Sequence, residues 1–294
     1  MASHMTDLEK PEWLKVRYRS ASSVAGMRGI LGQYGLHTVC DSAQCPNLGE
    51  CWGEGNATMM ILGDVCTRHC AFCSVVHGRP AAVDETEAER VARAVKALQL
   101  RYVVLTSVTR DDLPDGGASV FARTVQAIGE ASAQTRVELL IPDLRGNWKA
   151  LEQVVRARPS VIGHNIEVVR SLQRLARDPE ADYRRSLSLL RQVKSFDPRM
   201  ITKSSIMLGL GETFAEVVDC MRDLRTAQVD LLTLGQYLRP KGGALPVSRY
   251  VTPAEFKELK AAAESLDFAH VESGPLVRSS YRAEAAFDSI GRGR

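Results

Sequence analysis

Thr58-Met59-Met60-Ile61-Leu62 is a short apolar run, and Cys66-Thr67-Arg68-His69-Cys70-Ala71-Phe72-Cys73 follows it closely. The run reads as a buried strand, with the cysteines on the loop at its C-terminal end. The same alternation then repeats. Apolar runs at Tyr102–Thr106, Arg136–Ile141, Val161–Asn165, Ile201–Leu208 and Leu231–Gly235 are separated by amphipathic stretches. These stretches are Glu85–Leu100, Ser119–Ala131, Asn147–Arg156, Val168–Ala176 with Asp182–Val193, and Thr213–Ala227. In the first of them Ala88, Val91, Val95 and Leu98 form one stripe, and Glu87, Glu89, Arg90, Arg93 and Lys96 lie elsewhere, which is helical spacing. Strands separated by helices of this length are expected to pair in parallel, so the fold class is α/β. Six such units fall short of the eight in a closed barrel. An open, partial (β/α)6 TIM-like barrel and a doubly wound sheet both satisfy the periodicity.

On either side of this core the pattern weakens. Residues 6–56 are dense in Gly, Ser, Pro and Asn, with one helix expected at Ser22–Tyr34, and form an N-terminal extension. The barrel is expected over 57–250, and 251–294 reads as a C-terminal extension with a helix at Pro253–Leu266 and a strand at Ala269–Glu272. Met1-Ala-Ser-His-Met5 reads as the remnant of a tag. Among the 294 residues, 45% are hydrophobic and 25% charged, which excludes a wholly disordered chain. No stretch approaches the roughly 18 apolar residues of a membrane span, so no membrane association is expected. A net charge of +3 gives no reason to expect nucleic acid. The N-terminus lacks the features of a secretory signal, and the expected compartment is the cytoplasm.

The cysteines carry the chemistry. Six of the seven lie between residues 40 and 73, in two groups of three: Cys40, Cys45, Cys51 and Cys66, Cys70, Cys73. An odd, clustered set without a secretory signal argues for metal ligation over disulfides. The later group, C-x3-C-x2-C, offers three thiolates without an obvious fourth ligand. That suits a [4Fe–4S] cluster with one open iron better than a tetrahedral zinc ion. The earlier group, C-x4-C-x5-C, also lacks its fourth ligand, and a structural zinc knot is the alternative there. Cys220, alone on the Thr213–Ala227 helix, reads as a small buried core residue.

C-x3-C-x2-C after the first strand, with Phe72 before the last cysteine, resembles the radical S-adenosylmethionine superfamily. The two triads together resemble the lipoyl synthase family. The likeness continues in Gly78-Arg79-Pro80, Thr106-Ser107-Val108-Thr109-Arg110-Asp111-Asp112-Leu113-Pro114-Asp115-Gly116-Gly117 and Ile141-Pro142-Asp143. It runs on through His164-Asn165-Ile166-Glu167, Arg177-Asp178-Pro179, Thr202-Lys203-Ser204, Gly209-Leu210-Gly211-Glu212, Leu234-Gly235-Gln236-Tyr237-Leu238 and Arg278-Ser279-Ser280-Tyr281. His69, Ala71 and Arg282 depart from the family, which often has Arg, Pro and His there.

The resemblance implies a partial (β/α)6 barrel with two [4Fe–4S] clusters near its open end. Cys66, Cys70 and Cys73 would hold the one that cleaves S-adenosyl-L-methionine to a 5′-deoxyadenosyl radical. Cys40, Cys45, Cys51 and Ser280 would hold an auxiliary cluster, sacrificed as sulfur donor, which also makes Ser280 the candidate catalytic residue. Gly116, Gly117, Asn165, Glu167, Lys203 and Arg239 are candidate S-adenosylmethionine contacts. The implied substrate is an octanoyl group on a lysine of a lipoyl carrier, either a 2-oxoacid dehydrogenase E2 subunit or the glycine cleavage H protein. A ferredoxin or flavodoxin as electron donor and an iron–sulfur carrier that rebuilds the auxiliary cluster are the other implied partners. An unactivated methylene offers no acidic proton to a base, so the demanding chemistry must belong to cofactors. Replacing Cys66, Cys70 and Cys73 together by Ala should leave one cluster per chain and abolish 5′-deoxyadenosine formation. Iron analysis and product chromatography check both outcomes, and undiminished 5′-deoxyadenosine would refute the assignment.

Overall fold

The computed structural model describes residues 8–15, 21–42, 45–240 and 245–291. Seven parallel strands form one sheet in sequential order: β1 (Asn56–Ile61), β2 (Tyr102–Ser107), β3 (Arg136–Leu140), β4 (Val161–Gly163), β5 (Ile201–Leu208), β6 (Leu231–Gln236) and β7 (His270–Gly274). A doubly wound sheet would reverse its strand order midway, and this one does not. The fold is the open, partial barrel. His37–Thr38 pairs antiparallel with Met59 and Met60 on the outer edge of β1, and no ladder joins β1 to β7 among the described residues. The sheet therefore runs one strand past the six expected, continuing beyond residue 250.

Helices α1 (Glu87–Ala97), α2 (Ala118–Ala131), α3 (Trp148–Arg156), α4 (Tyr183–Phe196), α5 (Phe214–Thr226) and α6 (Pro253–Glu264) follow the first six strands in turn. Each buries the face its spacing foretells. In α1 that face is Ala88, Val91, Ala92 and Val95. The starts of α5 and α6 are fixed by reciprocal caps, Thr213 with Glu216 and Thr252 with Glu255, and Pro253 occupies the first turn of α6. Buried Glu87 reaches from α1 to accept the Leu62 N–H at 2.7 Å, tying the helix to the end of β1. Alternation along each strand separates two cores. Val103 and Leu105 of β2 face the helices, while Tyr102 and Val104 face the barrel interior.

The interior is closed from below by a last helix, α7 (Ala283–Gly291). Ala283 and Phe287 pack on Tyr102 and Val104, and Ile290 packs on Val161 and Leu231, all near the beginnings of their strands. Arg136 and Asp288 add an ion pair, and Ser289 bonds His270 Nδ1 at 3.0 Å. Above this apolar plug Lys203 Nζ lies 2.7 Å from Glu138 Oε1, and the Tyr102 hydroxyl donates to Glu138 Oε2 at 2.7 Å. Lys203 and Glu138 side chains are 4% and 3% exposed. Removing one partner of so buried a pair strands the other charge, at a cost of about 3–5 kcal/mol. Lys203→Met should lower stability by that order, and Glu138→Leu with Lys203→Met should recover most of it. Denaturant unfolding of the two variants provides the measurement. Equal losses would mean that packing, not the stranded charge, sets the cost.

Candidate functional site

Five residues beyond β1 the chain enters the first cysteine loop. Val65–Cys66 pairs with Val76–His77, and the Gly78 N–H donates to the Cys66 carbonyl at 2.9 Å, so the loop is closed into a ring. Arg68, 6% exposed, is its anchor. Its guanidinium donates to Asp111 at 2.7 and 3.0 Å and to Asp143 at 2.7 Å, joining the loops after β1, β2 and β3. Burial alone would lower the Arg68 pKa, but the two carboxylates outweigh it and raise it. The Thr67 N–H donates to the Thr109 carbonyl at 3.0 Å, and the His69 N–H donates to Asp178 at 2.7 Å. The family departures are accommodated locally. The His69 ring stacks on His77 with centroids 3.8 Å apart. The Ala71 N–H, which a proline would lack, donates to the Ala176 carbonyl at 2.8 Å.

Backbone donors already point at the sulfurs. Cys66 Sγ accepts from the N–H groups of Arg68 and Thr109 at 3.4 and 3.3 Å, and Cys70 Sγ accepts from Asp178 N–H at 3.4 Å. Burial pushes the Cys70 thiol up to about 11 and also raises Cys73. A thiol so placed stays protonated at neutral pH unless a metal takes the proton's place.

Of the expected cofactor contacts, Asn165 and Glu167 come to this loop. Glu167 acts electrostatically on both Cys70 and Cys73; burial raises its own pKa, opposed by Arg177 and a hydrogen bond from Asn165. Its φ of 70° is left-handed, a strained state for a glutamate, held by Glu167 N–H to the Ser205 carbonyl and Met207 N–H to the Glu167 carbonyl. Arg239 is exposed just past β6 and acts on the Tyr237 phenol, which also senses Cys73. Gly116 and Gly117 lie at the start of α2, both at positive φ. A side chain at Gly117 would come within 2.3 Å of Leu62, and the Gly117 N–H is already taken by Asp115 at 2.9 Å. Backbone geometry thus accounts for these glycines. Lys203 lies deeper, its ammonium held by Glu138.

The second constellation gathers elsewhere, along the open seam beside the beginnings of β1 and β2. Cys40, Cys45, Cys51 and Ser280 line one cavity with Asn47, Asn56, Thr58, Tyr102 and Arg278. The two triads thus sit toward opposite ends of β1, a six-residue strand about 17 Å long, and not together at the open end as the resemblance implies. Burial pushes the Cys51 thiol up to about 12, with Cys45 and Cys40 adding to it, and raises Cys40 and Cys45 as well. Asn56 Oδ1 is buried here without a hydrogen-bond partner. Among the described residues no three Cys, His, Asp or Glu side chains converge on a single-ion site. Three soft donors around one cavity, with the unsatisfied Asn56 Oδ1 in its wall, fit a polynuclear iron–sulfur group.

A family model described as the radical SAM superfamily matches residues 60–224. Proteins named lipoyl synthase from Symbiobacterium thermophilum and Thermus thermophilus are 54% and 51% identical, covering 94% and 96% of this chain and 86% and 87% of their own lengths. The chain belongs to the lipoyl synthase family. Among solved structures, methylornithine synthase aligns with a TM-score of 0.54 at 13% identity over 85% of this chain and 70% of its own. The FeFe-hydrogenase maturase HydG from Carboxydothermus hydrogenoformans aligns with a TM-score of 0.53 at 12% identity over 94% and 72%. These two likenesses carry the fold alone.

As a lipoyl synthase family member, the chain holds its C-terminal Arg278-Ser279-Ser280-Tyr281 segment in place through contacts that sequence spacing does not reveal. Asn47 Nδ2 donates to the Leu276 carbonyl at 2.6 Å, the Tyr281 hydroxyl donates to Glu50 at 3.0 Å, and Thr58 Oγ1 donates to Ser280 Oγ at 2.9 Å. Gly235 of β6 matters most. A Cβ there would lie 2.1 Å from the Val277 carbonyl oxygen, which is backbone and cannot step aside cheaply. Gly235→Ala should therefore displace the tail while the barrel stays folded. Trypsin should cut after Arg278 and Arg282 at least several-fold faster than in the unmodified protein, and an unchanged digestion rate would show that the tail is held without this approach.

Proposed function

We propose that the protein inserts two sulfur atoms, at C6 and C8, into an octanoyl group amide-linked to a lysine of a lipoyl carrier domain. In this reading Cys66, Cys70 and Cys73 hold the radical-generating [4Fe–4S] cluster, and Cys40, Cys45, Cys51 and Ser280 hold an auxiliary cluster that donates the sulfur. The observation that carries it is the meeting of three N-terminal cysteines and a C-terminal serine around one buried cavity. When bound, the first cluster would provide the electron that cleaves S-adenosylmethionine, and the second the sulfur.

The chain's own residues have four tasks in this scheme. Arg68, through Asp111 and Asp143, fixes the cysteine loop over the strand ends. Asn165, Glu167 and Arg239 stand beside that loop as polar contacts for the amino acid and ribose parts of S-adenosylmethionine. The plug of Phe287 and Ile290 keeps water out of the barrel from below, which protects a radical from stray hydrogen donors. A serine oxygen is a harder ligand than a thiolate and poorly matched to a soft site, so Ser280 leaves one corner of the auxiliary group labile. Cations on loops at the C-terminal ends of the strands, Arg79, Arg145 and Arg174, are exposed and suit an acidic carrier domain or electron donor.

Ser280→Cys is the test. The variant should keep both clusters and cleave S-adenosylmethionine, yet transfer sulfur to an octanoyl-lysine peptide at least tenfold more slowly in an anaerobic single turnover. Lipoyl product and iron release at the unmodified rate would show that serine ligation is not what makes the auxiliary group a sulfur donor.

A further inference from the structure

Thr58 is the third residue of β1, 6% exposed, with its side chain turned inward onto the second cysteine cavity. Its hydroxyl lies 2.9 Å from Ser280 Oγ, across 222 residues of sequence. The Cys40 sulfur lines the same cavity. A threonine hydroxyl has one proton to give. In this structure that proton is directed at the Ser280 oxygen. The β1–β2 ladder, in which Thr58 pairs with Val104, fixes the backbone, and β-branching restricts the side chain.

An alkoxide oxygen bound to a metal has no proton left, so in the contact with Ser280 the threonine must be the donor. A hydrogen bond into a ligand oxygen draws electron density away from the metal. Such contacts to a ligand atom tune the metal from outside its ligand set. We propose that Thr58 is a positioning residue for the Ser280 ligand, its hydroxyl loosening the serine–iron bond and so setting how readily that corner of the auxiliary cluster opens. This rests on the reading that Ser280 and the three cysteines hold that cluster.

The experiment uses the full chain with Cys66, Cys70 and Cys73 replaced by Ala, so that only the auxiliary cluster is present. Iron loss to a ferrous chelator and the Mössbauer spectrum are compared for this protein and for the same protein carrying Thr58→Val, Thr58→Ser or Ser280→Ala. Thr58→Val keeps the shape and removes the proton. It should retain four irons, release them about three- to tenfold more slowly, and shift the signal of one iron. Thr58→Ser should restore the unmodified rate and spectrum. If Ser280→Ala changes both readouts but Thr58→Val changes neither, the role of Thr58 is refuted and the ligand reading stands. Release from Thr58→Val as fast as or faster than normal, or failure of that variant to bind a cluster, also overturns it. If Ser280→Ala leaves both readouts unchanged, Ser280 is not a ligand, and the proposal falls with that reading.

Discussion

A parallel sheet that curls without closing leaves a seam, and nearly everything distinctive in this molecule follows from filling it. Unpaired strand edges invite association, and an unfilled interior cannot be stable. Here the outer edge of β1 is covered by His37–Thr38, and the interior is stoppered by α7. The N-terminal cysteines and the C-terminal serine meet where these two coverings approach each other. The second constellation is a product of the same packing that makes an open barrel tolerable. The first constellation depends on a different device, the buried Arg68, which turns three separate loops into one platform.

The two constellations sit toward opposite ends of one strand. β1 begins beside the Cys40–Cys51 cavity and points its C-terminal end toward Cys66. Rigid ladders on both sides keep that spacing from drifting. The distance between the two cysteine groups is thereby built into the sheet.

The strands were legible because buried parallel strands are continuous apolar runs. Ile201–Leu208 coincides with β5 to the residue. Elsewhere tertiary bonds redrew the boundaries. Val161–Asn165 shrinks to Val161–Gly163: the His164 N–H still reaches the Lys203 carbonyl at 3.0 Å, but the Ile166 N–H turns to the Ser204 hydroxyl at 3.1 Å, which interrupts the ladder. Val168–Ala176 yields only the short turns Arg170–Leu172 and Gln173–Ala176, since Gln173 Nε2 takes the Ile166 and Val168 carbonyls. The cysteine groups stood out by spacing. Lys203 did not reveal its partner, which lies 65 residues away on another strand. Arg68 and Gly235 carried no local signal, because the role of each is defined by a distant backbone or carboxylate. Ser280 was reachable only through family likeness, for nothing periodic marks it.

The tail that crosses the seam also imposes an order in time. A polypeptide leaves the ribosome N-terminus first, and Asn47 waits 229 residues for the Leu276 carbonyl it will hold. Throughout that interval the cavity beside Cys40, Cys45 and Cys51 lacks its last wall and the barrel lacks its floor. During translation the half-built cavity is thus open to solvent, and the segment that will shut it arrives after the strands beneath. Any later entry to the cavity must reopen that same wall, undoing a late step of folding while the strands beneath stay paired.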